Sequence, residues 1–264
     1  MSATTPTVWD IEDLGQAPPS VQAPYMQWLW GGECGGHVLP SCVAMVATSN
    51  YREKGMGVTG ILDPVISRML VVRLVQHLDD FCAWGMQPAA TRHGPLHEHI
   101  VGFVRFRPDL LSHDGPCQDM MNQPNGRNWE RASNWLYLGI GEELPVLAGC
   151  VGDGAAGELV TYVKQARSIA HIPEMVFDKP EKADMPTEPN LLYAVTAAVA
   201  YRTTAKNFVQ VACYAERLNK AKLQQFGVLL LKDAVRRNEQ EIVQTMEFKR
   251  LATTPLGKLI RGES

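Results

Sequence analysis

Val8-Trp9-Asp10-Ile11-Glu12-Asp13-Leu14-Gly15-Gln16-Ala17-Pro18-Pro19 is an apolar run, broken by Asp10, that ends in two adjacent carboxylates and then a Pro-Pro pair. Residues 7–13 read as a short buried strand. Asp10 would then need a partner, because a charge inside a central strand is costly. Pro18-Pro19 suits a helix start, where a missing N–H costs nothing. Val21, Tyr25, Trp28 and Leu29 follow at helical spacing, and Pro24, one turn in, predicts a kink or a delayed start. In a nucleotide-hydrolysing α/β fold such a strand brings acids to a magnesium ion, which takes one or two carboxylates plus phosphates. A second acid can orient the attacking water. An ordinary strand end with solvated charges has the same pattern.

The stretch Glu12 to Gln22 resembles the Walker B segment and following helix of MoxR-type AAA+ ATPases, and especially a phage and bacterial subgroup whose segment reads Asp-Asp-Leu-Gly-Gln-Ala-Pro-Pro. The resemblance continues along the chain. Gly31-Gly32-Glu33-Cys34-Gly35-Gly36 with His37-Val38-Leu39-Pro40 looks like the hairpin that these proteins insert before their next strand. Val43 to Thr48 is a continuous apolar run, as in a buried parallel strand. It ends at Ser49-Asn50, where open α/β sheets place ligands, and Asn50 matches the family's sensor 1. Read without the flanking motifs, it is a turn-forming Asn. Tyr51 to Gly60 is a glycine-rich loop. Ile61 to Arg68 looks like the short helix that ends in an arginine finger, so the resemblance makes Arg68 the finger; the plainer reading is a helix C-terminal Arg on the dipole. Met69 to Val75 matches the last core strand.

From His77 the periodicity is helical. Leu78, Phe81, Cys82 and Met86 share one face, and Ile100, Phe103, Val104 and Phe106 another. His93, His97 and His99 between them read as solvated loop histidines rather than metal ligands. Asp114 to Gly126 is a polar loop. Arg127-Asn128-Trp129 opens a helix where the family has Pro-Arg-Thr-Trp, so the resemblance makes Arg127 sensor 2. The alternative is a surface Arg in a helix's first turn. Gly152-Asp153-Gly154-Ala155-Ala156-Gly157 fits GxGxxG after Val146–Val151. A dinucleotide site there needs a preceding strand and a later acid, Glu174 or Asp178. Without a second strand it reads as a helix–helix junction. Residues 173–190 read as a linker or exposed loop. Stripes led by Leu191, Phe208 and Phe226 predict a helical bundle, and Lys249 to Ser264 is expected to fray.

Composition bounds the rest. The chain has 264 residues, 45% of them apolar, with 25 basic and 28 acidic residues for a net charge of −3. That is a globular composition without a basic footprint for nucleic acid. Cys34, Cys42, Cys82, Cys117, Cys150 and Cys213 form no CxxC pair and read as reduced thiols in a cytoplasmic protein. Neither a leader nor a membrane span is expected.

The resemblance therefore implies an α/β fold: a partial AAA+ P-loop NTPase core with three strands over 1–78, a helical lid over 79–172, and a linker with a C-terminal helical region over 173–264. It implies ATP and magnesium as ligands, with Glu12 the metal-site acid and Asp13 the water-orienting acid. Intact relatives form rings and remodel partner proteins, often with von Willebrand factor A domain proteins. The expected partners are thus self-oligomers or an intact AAA+ subunit. Residues 1–264 contain no GxxxxGK[ST] run, and the only Gly-Lys pair, Gly257-Lys258, lacks its context. Without the Walker A half, either the two flanking strands close up and pair, or another chain supplies it, or the product is truncated with a poorly ordered core; the chain alone is expected to hydrolyse ATP poorly. Glu12-Asp13 also departs from the family's Asp-first pair. A non-catalytic assembly module docking on an intact ATPase is the alternative, and NAD binding at Gly152–Gly157 the third.

Overall fold

The structure, a computed structural model, describes residues 5–50, 60–113, 121–140 and 143–260. Most of the loop from Tyr51, most of the loop from Asp114, and Cys117 lie outside them. The chain divides into two compact units, Met1–Val75 and Gln76–Ser264.

The first unit is small. Strand β1 (Thr7–Ile11) leads through a 3-10 turn, Leu14–Gln16, to helix α1 (Pro19–Gly31). Pro19 sits in the first turn of α1 and Pro24 inside it, so the start is not delayed. Strands β2 (Glu33–Cys34) and β3 (His37–Val38) form the expected hairpin. Its turn residues Gly35 and Gly36 have φ of 57° and 79°, the left-handed pair that a tight two-residue hairpin turn demands. Strand β4 (Val43–Ala47) pairs in parallel with β1, with Trp9 opposite Met45 and Ile11 opposite Ala47.

Side chains alternate across this two-stranded sheet. Trp9 packs against Tyr25 and Trp28 of α1, with ring centroids 6.3 and 5.3 Å away. The opposite face, with Val8, Asp10, Ala44 and Val46, is exposed. Asp10 therefore stands in solvent rather than in a buried strand, and it needs no partner. Helix α2 (Asp63–Ile66) follows the glycine-rich loop.

The strand expected over Met69 to Val75 does not form. Leu70, Val71, Val72, Leu74 and Val75 are between 68% and 91% exposed. A run of β-branched and leucine residues becomes a strand only where a ladder partner is in reach. The described residues offer it none.

The second unit is helical. Its helices are α3 (Leu78–Gly85), α4 (Glu98–Phe106), α5 (Gly126–Tyr137), α6 (Leu144–Val151), α7 (Asp153–Ser168), α8 (His171–Asp178), α9 (Pro189–Arg202), α10 (Phe208–Lys220), α11 (Gln224–Arg237), α12 (Glu239–Ile242), α13 (Met246–Ala252) and α14 (Pro255–Ile260). One core gathers Phe81, Cys82, Met86, Ile100, Phe103, Val104 and Trp129 with the inner faces of α6 and α7. A second gathers Val195, Phe208, Val211, Tyr214, Phe226 and Leu230. Heptad-like apolar stripes explain both.

Two expectations need correction here. Residues 173–178 belong to α8, while 179–188 form the expected loop between α8 and α9, anchored where Ala183 is fully buried and Arg217 of α10 donates to its carbonyl at 2.8 Å. The C-terminal segment does not fray before residue 260. Thr245 caps α13 by accepting from the Phe248 N–H, and Leu251 and Leu256 are buried. Cys34, Cys42, Cys82, Cys150 and Cys213 are not joined to one another in disulfides. Among the described residues no helix is long and apolar enough to cross a membrane.

Candidate functional site

In the first unit the chain leaves β1 under tight control. The Thr48 N–H donates to the Ile11 carbonyl at 3.0 Å, and the Leu14 N–H donates to the Thr48 carbonyl at 2.9 Å. Between them Asp13 adopts a left-handed conformation, φ 52° and ψ 37°, and its N–H donates to the Thr48 hydroxyl at 3.3 Å. Asp is among the few non-glycine residues that enter this region readily. Leu14 is buried beneath the turn. Glu12 and Asp13 thus follow the end of β1, and Asn50 lies just beyond the end of β4. Because the strands are parallel, all three sit at the same carboxyl edge, exposed. Thr48, which fixes the turn, gave no signal beyond its place in the apolar run.

Gln22 was also silent in the sequence. It is fully buried in α1. Its Nε2 donates to the carbonyls of Ala17 at 2.8 Å and Gly60 at 2.9 Å, and its Oε1 accepts from the Leu62 N–H at 2.8 Å. This one amide ties the approach to α2 onto α1. Arg68 follows α2, exposed; its guanidinium donates to the Pro64 carbonyl and lies 5.4 Å from the Trp30 ring centre. That placement suits a helix C-terminal cation and leaves the group accessible.

Two acids and an amide therefore share one exposed strand edge. Nothing among the described residues of this unit cradles phosphates.

In the second unit Arg127 lies exposed in the first turn of α5, whose cap is Asn125 accepting from the Asn128 N–H at 2.9 Å. The GxGxxG run falls between two helices: Val146–Val151 belongs to α6, and Gly152 precedes α7 with φ 82°. A Cβ at Gly152 would come 2.7 Å from the Asn122 carbonyl oxygen. The close approach of the loop backbone at Asn122 and the positive φ thus account for this glycine, and the strand that a dinucleotide fingerprint needs is a helix here.

The histidines differ from expectation. His97 caps α4, its Nδ1 accepting from the His99 N–H at 3.2 Å, and its ring lies 4.9 Å from those of both His99 and Tyr137. Only His93 is solvated; His97 and His99 are half-buried. Burial, with Arg167 nearby, pushes His97 down to about 4. Burial, with His97, Arg167 and Arg202, pushes His99 down to about 3. The unfolded chain therefore binds more protons than the folded one between these values and about 6.5, so stability falls as pH drops through that window. At pH 5 each histidine is expected to remove on the order of 1–2 kcal/mol. Thermal melts from pH 7 to 5 should show the loss, and His97→Gln with His99→Gln should flatten it. No group of three or more His, Cys, Asp or Glu that could hold a metal occurs among the described residues.

No protein-family model, curated protein or solved structure matches the chain.

Proposed function

We propose that residues 1–264 carry the Walker B and sensor 1 edge, the arginine finger and the lid of a MoxR-type AAA+ ATPase that remodels a partner protein, and that the P-loop strand is supplied from outside these residues. One observation carries the reading. The parallel pair β1–β4 sets Glu12, Asp13 and Asn50 at one carboxyl edge, while one face of that sheet stays uncovered. Parallel sheets are ordinarily covered on both faces. In the family the P-loop strand lies beside the sensor 1 strand, between it and the last core strand. A missing neighbour there accounts for Leu70, Val71, Val72, Leu74 and Val75 being exposed and outside any strand.

In this reading ATP brings the phosphates and magnesium the Lewis acid. Glu12 holds the metal, Asp13 orients the water, and Asn50 polarises it from the adjacent strand. Arg68 and Arg127 supply fixed positive charge to the phosphates, Arg68 on a neighbouring subunit's nucleotide. Ring partners are further copies or intact subunits, and a von Willebrand factor A domain protein is the remodelling partner that the resemblance suggests.

The test is a chain with the strand–P-loop–helix segment of a MoxR-type ATPase fused ahead of residue 1. Fluorescent ATP analogue with magnesium should bind it at least about tenfold more tightly than it binds residues 1–264. Asp13→Asn should then reduce hydrolysis by about 100-fold or more, as expected for removing a water-orienting group. A folded fusion whose hydrolysis ignores both Glu12→Gln and Asp13→Asn would refute the proposal.

The exposure of Arg68 favours a second reading, a non-catalytic module lending its finger to an intact ATPase. Arg68→Ala would then reduce the partner's turnover, while Asp13→Asn would leave it unchanged.

A further inference from the structure

The helical unit contains an open cavity of about 410 Å³ between α4 and α7, a size within the range of about 300–1,000 Å³ for small-molecule sites. Its aromatic lining is Phe103 and Tyr162, both buried, and Phe106, half-buried. The Tyr162 ring centre lies 5.6 Å from that of Phe103, edge-on, and 6.3 Å from that of Phe106, stacked. Gly154 and Gly157 of α7 line the cavity too, and a Cβ at either would meet nothing within 4 Å. Packing therefore does not account for these two glycines of the GxGxxG run, although glycine is a poor helix former. They leave the α7 backbone bare against the cavity. Glu158 also lines it, with its side chain 42% exposed. One guanidinium serves two carboxylates here. Arg107 Nε and Nη2 donate to Asp109 at 3.1 and 2.8 Å, and its Nη1 donates to the Glu158 Oε2. One carboxylate charge is left over, and the Glu158 Oε1 accepts no hydrogen bond among the described residues.

We propose that this cavity binds a small aromatic amine, its ring against Phe106 and the bare backbone at Gly154 and Gly157, its ammonium on the Glu158 carboxylate. Aromatic rings attract one another in offset or edge-on arrangements, and an ammonium makes charge-assisted hydrogen bonds to a carboxylate. An aromatic acid would meet the surplus carboxylate and be repelled. An aliphatic amine would leave the rings without a partner. The volume lies near the lower end of the range for such sites and suits one ring on a short chain, as in phenethylamine. Nothing in this inference depends on the nucleotide reading, which rests on the strand edge of the other unit.

Calorimetric titration of the full chain at neutral pH tests it, with phenethylamine, phenylethanol and butylamine as probes. Phenethylamine should saturate a single site with a Kd on the order of 1 mM. Phenylethanol, lacking the charge, and butylamine, lacking the ring, should each bind at least about tenfold more weakly. Glu158→Gln keeps the shape and removes the charge, and should weaken phenethylamine by about tenfold. Gly157→Leu should abolish binding by filling the cavity from a position where a Cβ meets nothing, and leucine, the better helix former, keeps α7 folded. Circular dichroism checks the fold of both variants. The proposal is overturned if folded protein shows no saturation by about 10 mM phenethylamine. It is equally overturned if phenylethanol or butylamine binds as tightly, or if either folded variant leaves the affinity unchanged.

Discussion

Asp233→Ala is expected to destabilise the helical unit by about 3–5 kcal/mol, the range for leaving one partner of a buried ion pair alone. Asp233 of α11 is 1% exposed and Arg105 of α4 is 8% exposed. The Arg105 Nη2 donates to one carboxylate oxygen at 2.9 Å, and Nη1 donates to the other. Burial works against the Arg105 charge, and the Asp233 carboxylate more than offsets it. Removing the carboxylate strands a guanidinium among Cys82 and Tyr201, both themselves desolvated. For a unit of this size each kcal/mol moves the melting temperature by roughly 2–4 °C. Urea denaturation followed by far-UV circular dichroism measures the loss. The double replacement Arg105→Met with Asp233→Leu should recover most of it, since an apolar pair of similar volume is often neutral. A loss below about 1 kcal/mol in Asp233→Ala would mean that the pair is not desolvated.

Gln22→Leu should have the second largest effect, and it acts on the other unit. The leucine fills the volume but orphans the carbonyls of Ala17 and Gly60 and the N–H of Leu62. Each unsatisfied buried group costs about 1–3 kcal/mol, and partial rehydration leaves an expected loss of about 3 kcal/mol for the three. The first unit has little core to absorb this: among the described residues its buried apolar side chains are Leu14 and Val65. Hydrogen exchange should show the approach to α2 opening before β1 and β4 do. Gln22→Glu should restore part of the loss by keeping an acceptor for the Leu62 N–H.

Periodicity made much of the fold legible. Val43–Ala47 reads as a strand because its apolar run is short and bounded by turn residues. The inward faces of α3, α4, α5 and α10 follow from 3.6-residue spacing, and the glycines of Gly31–Gly36 mark a turn, while the hairpin itself follows from the resemblance. The failures share a different origin. Whether Leu70–Val75 is a strand depends on a partner that no local pattern encodes. Pro173 and Pro189 look like breakers but occupy first turns, where proline is tolerated. Gln22, Arg105 and Asp233 are polar residues whose burial depends on groups 38 to 128 positions away, and Thr48 acts across a strand pair. The carboxyl-edge placement of Glu12, Asp13 and Asn50 was legible because it follows from strand direction alone.

The most direct measurement of the central claim is residue-resolved amide hydrogen exchange along β4. The Thr48 N–H points toward β1, so by the two-residue alternation of the ladder the N–H groups of Val46 and Ala44 do too, while those of Met45 and Ala47 face away. If a P-loop strand belongs on that outer edge, Met45 and Ala47 will exchange much faster than Ala44 and Val46 in residues 1–264, and will become protected when the strand–P-loop–helix segment is fused ahead of residue 1. Equal protection of all four amides in residues 1–264 alone, or no gain at Met45 and Ala47 in a folded fusion, would contradict the account.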